Sequence, residues 1–166
     1  MKNNKHLPLF GVGPLYGLFV IGLTALGIIL SCFGFLDSGL ITIKWLKILF
    51  IIIGVLIIIE GFIVWAKAAL GRKNIDYYIK NNILWTDGIY SICRNPCYSG
   101  IALMCTGSLF ITNNLWLLIL PFIFWISMTL LMKNSEEKWL KEKYGEEYIN
   151  YCNRVNRCIP WIFNRK

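Results

Sequence analysis

Charge is scarce in this chain. Only 16% of its 166 residues are Asp, Glu, Lys or Arg, against about a quarter in an ordinary soluble domain. With 57% of the residues apolar, that balance excludes a conventional water-soluble fold. No long polar stretch is available to build a second, soluble domain, so one membrane-embedded unit over residues 1–166 is expected. Histidine is nearly absent, His6 standing alone, and the spacing of Cys93, Cys97 and Cys105 matches no zinc pattern; no metal site is expected. Acidic residues number 9 against 17 Lys and Arg, a formal net charge of +8. In a soluble protein that excess would hint at nucleic acid. Here most basic residues flank apolar runs, which points to lipid headgroups and argues against an RNA or DNA partner. Repeats and low-complexity tracts are missing, and the first apolar run is too long for a signal peptide and lacks a small-residue cleavage site.

What is present is a set of long apolar runs. Residues 15–36 carry no charge over 22 positions, enough at 1.5 Å per residue to cross a hydrocarbon core of about 30 Å. Residues 48–66 form a second run interrupted only by Glu60, and the span is extended to about 46–70. Residues 95–132 hold 38 positions without an ionised side chain, about 57 Å as one helix, which must fold back on itself. The polar cluster Thr112-Asn113-Asn114 marks the break and leaves spans at 96–111 and 115–132, the last expected to kink at Pro121. The expected class is an all-α polytopic integral membrane protein with about four transmembrane helices. Past Lys133, Trp139, Leu140, Tyr144, Tyr148 and Tyr151 recur at helical spacing, so a cytosolic amphipathic helix on the headgroups is added, interrupted at Gly145.

The basic residues give the orientation. Lys2 and Lys5 precede the first span, Arg72, Lys73, Lys80 and Arg94 lie in the loop 71–94, and eight Lys and Arg follow Met132. The turn at 112–114 has none, and the loop 37–47 has only Lys44 and Lys47. Both termini and the middle loop are therefore expected in the cytosol, the membrane being read as a prokaryotic cytoplasmic one. Residues 85–98 and 136–157 then share one side and can meet. In the cytosol the six cysteines would stay reduced, so disulfides are not the framework.

Three groups are candidates for chemistry. Asn95 is a favoured helix cap and Pro96 a favoured first residue, so a helix starts there with free N–H groups, its positive dipole end and the Arg94 guanidinium converging on an anion site. The alternative is a plain capped helix with Arg94 snorkelling to headgroups. That helix is short, about 24 Å, which recesses its start below the headgroups and favours a pocket open sideways to lipid. Glu136 and Glu137 are adjacent and do not share a helix face, so one faces a ligand and the other a structural arginine or a cap; Asn134 with Glu137 also fits a capping box. Glu60, seven residues from Lys67, is a charge at membrane depth, read either as a substrate or packing group or as a protonated carboxyl bonded to a neighbour.

Taken together, Thr86-Asp87-Gly88-Ile89-Tyr90, Arg94-Asn95-Pro96-Cys97-Tyr98-Ser99-Gly100, Glu136-Glu137-Lys138-Trp139-Leu140 and Tyr144-Gly145-Glu146-Glu147-Tyr148, followed by Tyr151, Arg154-Val155 and Ile159-Pro160, form an ordered set. The set resembles the isoprenylcysteine carboxyl methyltransferase and phospholipid methyltransferase family of integral membrane enzymes over residues 84–160. The resemblance implies S-adenosylmethionine as cofactor, enclosed between the segment at 94–100 and the acidic tail on the cytosolic side. By resemblance Arg94, Pro96, Tyr98, Gly100, Glu136 and Glu137 correspond to the cofactor-binding motifs; Asn95 and Tyr148 are taken as further cofactor-binding candidates, and Arg94 and Glu137 as the catalytic candidates. Asn95 stands where the prenylcysteine enzymes usually carry histidine. Tyr98, Tyr148 or Tyr151 would face the sulfonium, and Glu136 or Glu137 would serve as base for an amine acceptor.

The implied partners are membrane lipids and a lipophilic or lipidated acceptor. Isoprenylated protein, lipid amine, quinone-like lipid and hydrophobic acid all remain open, as does oligomeric state. Two other readings stand beside this one: a small proton-coupled transporter working through Glu60, and an NADPH-dependent lipid reductase.

Overall fold

In the computed structural model, residues 13–71, 77–78 and 81–160 are described. The basic residues Lys2, Lys5, Arg72, Lys73, Lys80, Arg165 and Lys166, on which much of the orientation argument rests, lie outside them. The described chain is helical: α1 (Gly13–Cys32), α2 (Lys44–Gly71), α3 (Pro96–Ile111), α4 (Leu120–Asn134), α5 (Glu136–Tyr144) and α6 (Glu146–Arg154). Among the described residues the only β-type pairings are two isolated bridges, Leu40 with Asn114 and Cys93 with Asn156. Among the described residues three stretches are long and apolar enough to cross a membrane, Gly13–Cys32, Lys44–Gly71 and Leu115–Tyr144, and Pro96–Ile111 is a shorter apolar helix. Large apolar side chains on α1, α2 and α4, among them Leu18, Leu56, Phe62, Phe122 and Trp125, point outward. In water such a surface would be untenable; in lipid it is the solvent-facing side.

Helices surrounded by hydrocarbon gain little from burying apolar area, so they associate by close packing. α2 and α3 do this through paired glycines spaced seven apart. A Cβ on Gly54 would lie 2.6 Å from the carbonyl oxygen of Gly107, and one on Gly61 would lie 2.8 Å from that of Gly100. α1 and α4 close the other side of α3 around Tyr16, Val20, Leu109, Phe124, Met128 and Met132, with the Tyr16 hydroxyl donating to the Phe124 carbonyl at 3.2 Å.

The chain folds back where the polar cluster sits. The amide of Asn114 donates to Ser31 Oγ and to the Leu36 carbonyl, each at 3.0 Å, and its Oδ1 accepts from the Trp116 N–H at 3.1 Å. Residues Leu115–Ile119 then make a 3₁₀ turn before α4. Pro121 consequently stands in the first turn of α4 and does not kink its interior, because its missing N–H is harmless there. α1 ends at Cys32, before residue 36, since Gly34 at φ +81° turns the chain. Gly145, at φ +56°, separates α5 from α6 as expected. The aromatic face of that pair is turned inward: Tyr148 and Tyr151 are buried with Leu84 and Val155. All six cysteines are free thiols.

Candidate active site

The site begins at the turn before α3. Asn95 occupies the cap position and Pro96 the first helical one, yet the Asn95 side chain makes no capping bond. Its amide donates instead to the carbonyl of Arg157 at 3.1 Å, while the Arg94 N–H donates to the carbonyl of Asn156 at 2.9 Å. The segment after α6 is thereby strapped along residues 93–95, and the Cys93 thiol completes the strap with contacts to Ser99 Oγ at 3.3 Å and to the Arg157 carbonyl at 3.5 Å. Burial pushes that thiol up to about 11, so Cys93 is a packing group and not a nucleophile.

The same strap delivers charge. Glu137, on α5, receives two parallel bonds from Arg157, Nε to Oε1 at 2.5 Å and Nη2 to Oε2 at 2.8 Å. Arg94 Nη1 stands 3.2 Å from the same Oε1, with the Arg94 side chain 8% and that of Glu137 4% exposed. Nη1 also contacts Cys152 Sγ. The Nε of Arg94 is buried with no hydrogen-bond partner among the described residues. A buried donor left unpaired costs about 1–3 kcal/mol, so this guanidinium is held in place with bonding capacity to spare. Glu136 lines the same pocket and accepts from the Tyr98 hydroxyl at 3.2 Å.

Around these groups lies a cavity enclosing about 720 Å³, its open mouth included. Its polar lining is Arg94, Asn95, Glu136 and Glu137; its apolar and aromatic lining is Leu84, Trp85 and Tyr90 of the middle loop, Trp139, Leu140 and Tyr144 of α5, and Tyr148 and Tyr151 of α6. Trp85 packs on Tyr90 with centroids 4.4 Å apart and stacks on Tyr78 at 5.2 Å, and the Tyr151 hydroxyl donates to the Tyr90 carbonyl at 2.6 Å. Burial, and then the Glu137 carboxylate, push the Tyr148 phenol up; burial does the same to Tyr151. Both phenols stay neutral and line the cavity, and the face of such a ring favours a cation. A second cavity lies on the other side of Arg94, between Trp125 and Thr129 of α4 and the strap residues Asn156 to Ile159.

Of the residues singled out from sequence, Arg94, Asn95, Glu136, Glu137 and Tyr148 line the first cavity. Tyr98 reaches it through Glu136. Pro96 is buried at the helix start, and Gly100 faces α2, where a Cβ would meet Trp65 Cβ at 2.7 Å and the Gly61 carbonyl at 2.8 Å. Glu60 is exposed on α2 and lines neither cavity. No capping box forms at Asn134: Ser135 holds the cap position without a side-chain bond, and the Glu137 carboxylate is taken by guanidinium groups. Sequence reasoning missed Arg157 and the Trp85–Tyr90 wall. A glutamate buried in a basic tail needs a cation, and that requirement was the available signal for Arg157.

The model of the phospholipid methyltransferase family matches residues 42–147, nearly two thirds of the chain. The chain belongs to that family. The matched region of this phospholipid methyltransferase family member contains α2, α3, α4 and α5 and includes Arg94, Glu136 and Glu137. Among curated relatives, protein-S-isoprenylcysteine O-methyltransferase of Saccharomyces cerevisiae is 36% identical over 83 residues, 49% of this chain and 34% of the relative. Protein-S-isoprenylcysteine O-methyltransferase B of Arabidopsis thaliana is 29% identical over 80 residues, 48% and 40% respectively. The Schizosaccharomyces pombe protein-S-isoprenylcysteine O-methyltransferase is 30% identical over 84 residues, 50% and 35%. This family member thus spans 34% to 40% of the length of the three relatives. No solved structure matches it.

Proposed function

We propose that the protein is an S-adenosylmethionine-dependent methyltransferase that acts on a lipophilic acceptor at the cytosolic face of its membrane, with both termini on that side and residues 84–160 forming the cofactor-binding half of a single domain. The observation that carries this reading is the Arg94 guanidinium, fixed by Glu137 and keeping a buried Nε without a partner among the described residues, beside Glu136 and a lining of neutral aromatic rings. A cation and a carboxylate side by side suit the zwitterionic amino-acid end of the cofactor, and the rings suit its sulfonium.

In this arrangement Arg94 binds a carboxylate and Glu136 takes an ammonium or a ribose hydroxyl. Asn95 ties the helix start to the strap, and Tyr98 holds Glu136. Tyr148 and Tyr151 wall the cationic centre and keep water from it. When bound, S-adenosylmethionine supplies a methyl group activated on a positively charged sulfur. Glu137, with both oxygens engaged by guanidinium groups, serves to hold Arg94; for an amine acceptor Glu136 is then the proton-accepting group, whereas a carboxylate acceptor needs none. The acceptor approaches through the second cavity, whose Trp125 wall belongs to the outward-facing surface of α4. The names of the relatives favour an isoprenylated cysteine carboxylate or a similar apolar acid as acceptor.

The test is methyl transfer itself. Membranes containing the protein are incubated with methyl-labelled S-adenosylmethionine, and label is counted in lipid and protein fractions. Label above vector-only membranes supports the reading; label in neither fraction, with NADPH consumed instead, overturns it in favour of a reductase.

A further inference from the structure

We propose that Arg157 is a positioning residue: by taking up the charge of Glu137 it leaves the Arg94 guanidinium available to an anionic group in the pocket. The inference rests on the reading of that pocket as the cofactor site. Arg157 lies beyond the region matched by the family model, which ends at residue 147, so it is this chain's own structure that assigns the role.

Glu137 is 3% exposed and must be neutralised where it stands. Among the described residues two guanidinium groups reach it, and they do so unequally. Arg157 makes the two-pronged contact, at 2.5 and 2.8 Å, whereas Arg94 offers a single Nη1 at 3.2 Å. The carboxylate is satisfied by Arg157 on both oxygens, and Arg94 is oriented by it without being consumed. Remove the Arg157 guanidinium and, among the described residues, Arg94 is the cation left to Glu137; the pair closes into a bidentate contact, and the anion site is filled from within. The backbone at Arg157 has a separate duty, since its carbonyl accepts from Asn95 and the neighbouring Asn156 carbonyl from Arg94 N–H. Side-chain substitutions leave those backbone bonds in place.

Binding to detergent-purified protein is measured calorimetrically with two probes: S-adenosylhomocysteine, which carries the amino-acid carboxylate, and 5′-methylthioadenosine, which lacks it. Arg157→Gln is expected to weaken S-adenosylhomocysteine about tenfold or more and to leave methylthioadenosine within about twofold, the loss being that of one charge-assisted pair. Glu137→Gln in the same chain removes the competing carboxylate, so the double variant E137Q/R157Q regains affinity to within about threefold of E137Q alone. Arg157→Lys falls between the wild type and R157Q. Equal losses for both probes, or a double variant as weak as R157Q, would mean that Arg157 merely holds the fold together and would overturn the inference. Unchanged S-adenosylhomocysteine binding by R157Q would overturn it too. A wild-type protein that binds methylthioadenosine and S-adenosylhomocysteine equally well sinks the inference while sparing the nucleoside pocket; one that binds neither sinks the cofactor reading beneath it.

Discussion

The Tyr98 hydroxyl donates to Oε1 of Glu136 at 3.2 Å, joining the first turns of α3 and α5 across 38 residues of sequence. Tyr98 also packs edge-on against Tyr16 of α1, with centroids 6.1 Å apart, so one phenol links α1, α3 and the acidic lining of the pocket. Tyr98→Phe keeps the ring and deletes the bond. The variant is expected to lose about 1 kcal/mol of stability, the ordinary net value of a partly buried hydrogen bond, and to bind S-adenosylhomocysteine several-fold more weakly because Glu136 loses the bond from Tyr98 that orients it toward the pocket. Thermal melting and calorimetry on the same preparation check both.

Gly100 separates packing from binding. Its motif position suggests a cofactor role, but in the structure it faces Gly61 and Trp65. Gly100→Val would force α2 and α3 apart at a contact made of backbone, which cannot move aside; a loss of about 2 kcal/mol or more is expected. A lowered melting temperature with S-adenosylhomocysteine affinity unchanged in the folded fraction is the predicted pattern. A stable variant that has lost the ligand would place Gly100 in the pocket.

Alkaline pH should loosen the strap. The Cys93 thiol is fully buried and pushed from its ordinary value of 9.0 up to about 11, chiefly by burial. A raised folded-state value means that the contribution is intact below about pH 9 and is lost as pH rises through 11, a total of about 2–3 kcal/mol at most. Cys158, also pushed up by burial, adds to the same slope, and Tyr148 and Tyr151 extend it from their ordinary value of 10.0 upward. Melting temperatures measured at pH 8 to 11 should fall, and Cys93→Ala should shrink the drop between 9 and 11. An identical drop in the variant would contradict the assignment.

Glu60 provides the test against a transporter. It is exposed on α2, away from both cavities, so Glu60→Gln should leave S-adenosylhomocysteine binding and methyl transfer within about twofold, as for surface substitutions in general. Lost methyl transfer with intact binding would return Glu60 to the reaction.

The apolar runs and the break at 112–114 were legible in the sequence because membrane helices are dictated by length and hydropathy. The 96–111 span agrees with α3 residue for residue. The meeting of residues 94–98 with 136–137 was legible too, through the parity of the crossings. Pro121 was misplaced because nothing local announces that Leu115–Ile119 winds as a 3₁₀ turn and hands the proline to a helix start. Glu136 and Glu137 were recognised as dividing their duties, but which one met the arginines depended on the path of the chain after α6. That path also decided Asn95, whose amide serves the strap and not its own helix. The need of Glu137 for a cation pointed to some basic residue of the tail, but local spacing could not single out Arg157, a partner 20 residues away.

The central claim is that Arg94 anchors the carboxylate end of S-adenosylmethionine, and the most direct test is calorimetric titration of S-adenosylhomocysteine into wild type and Arg94→Ala. Glu137 keeps Arg157 in that variant, so the fold should survive while affinity falls about a hundredfold, the value of a lost charge-assisted pair in a buried site. Wild-type affinity retained by a folded Arg94→Ala protein, or no binding by the wild type, would contradict the account.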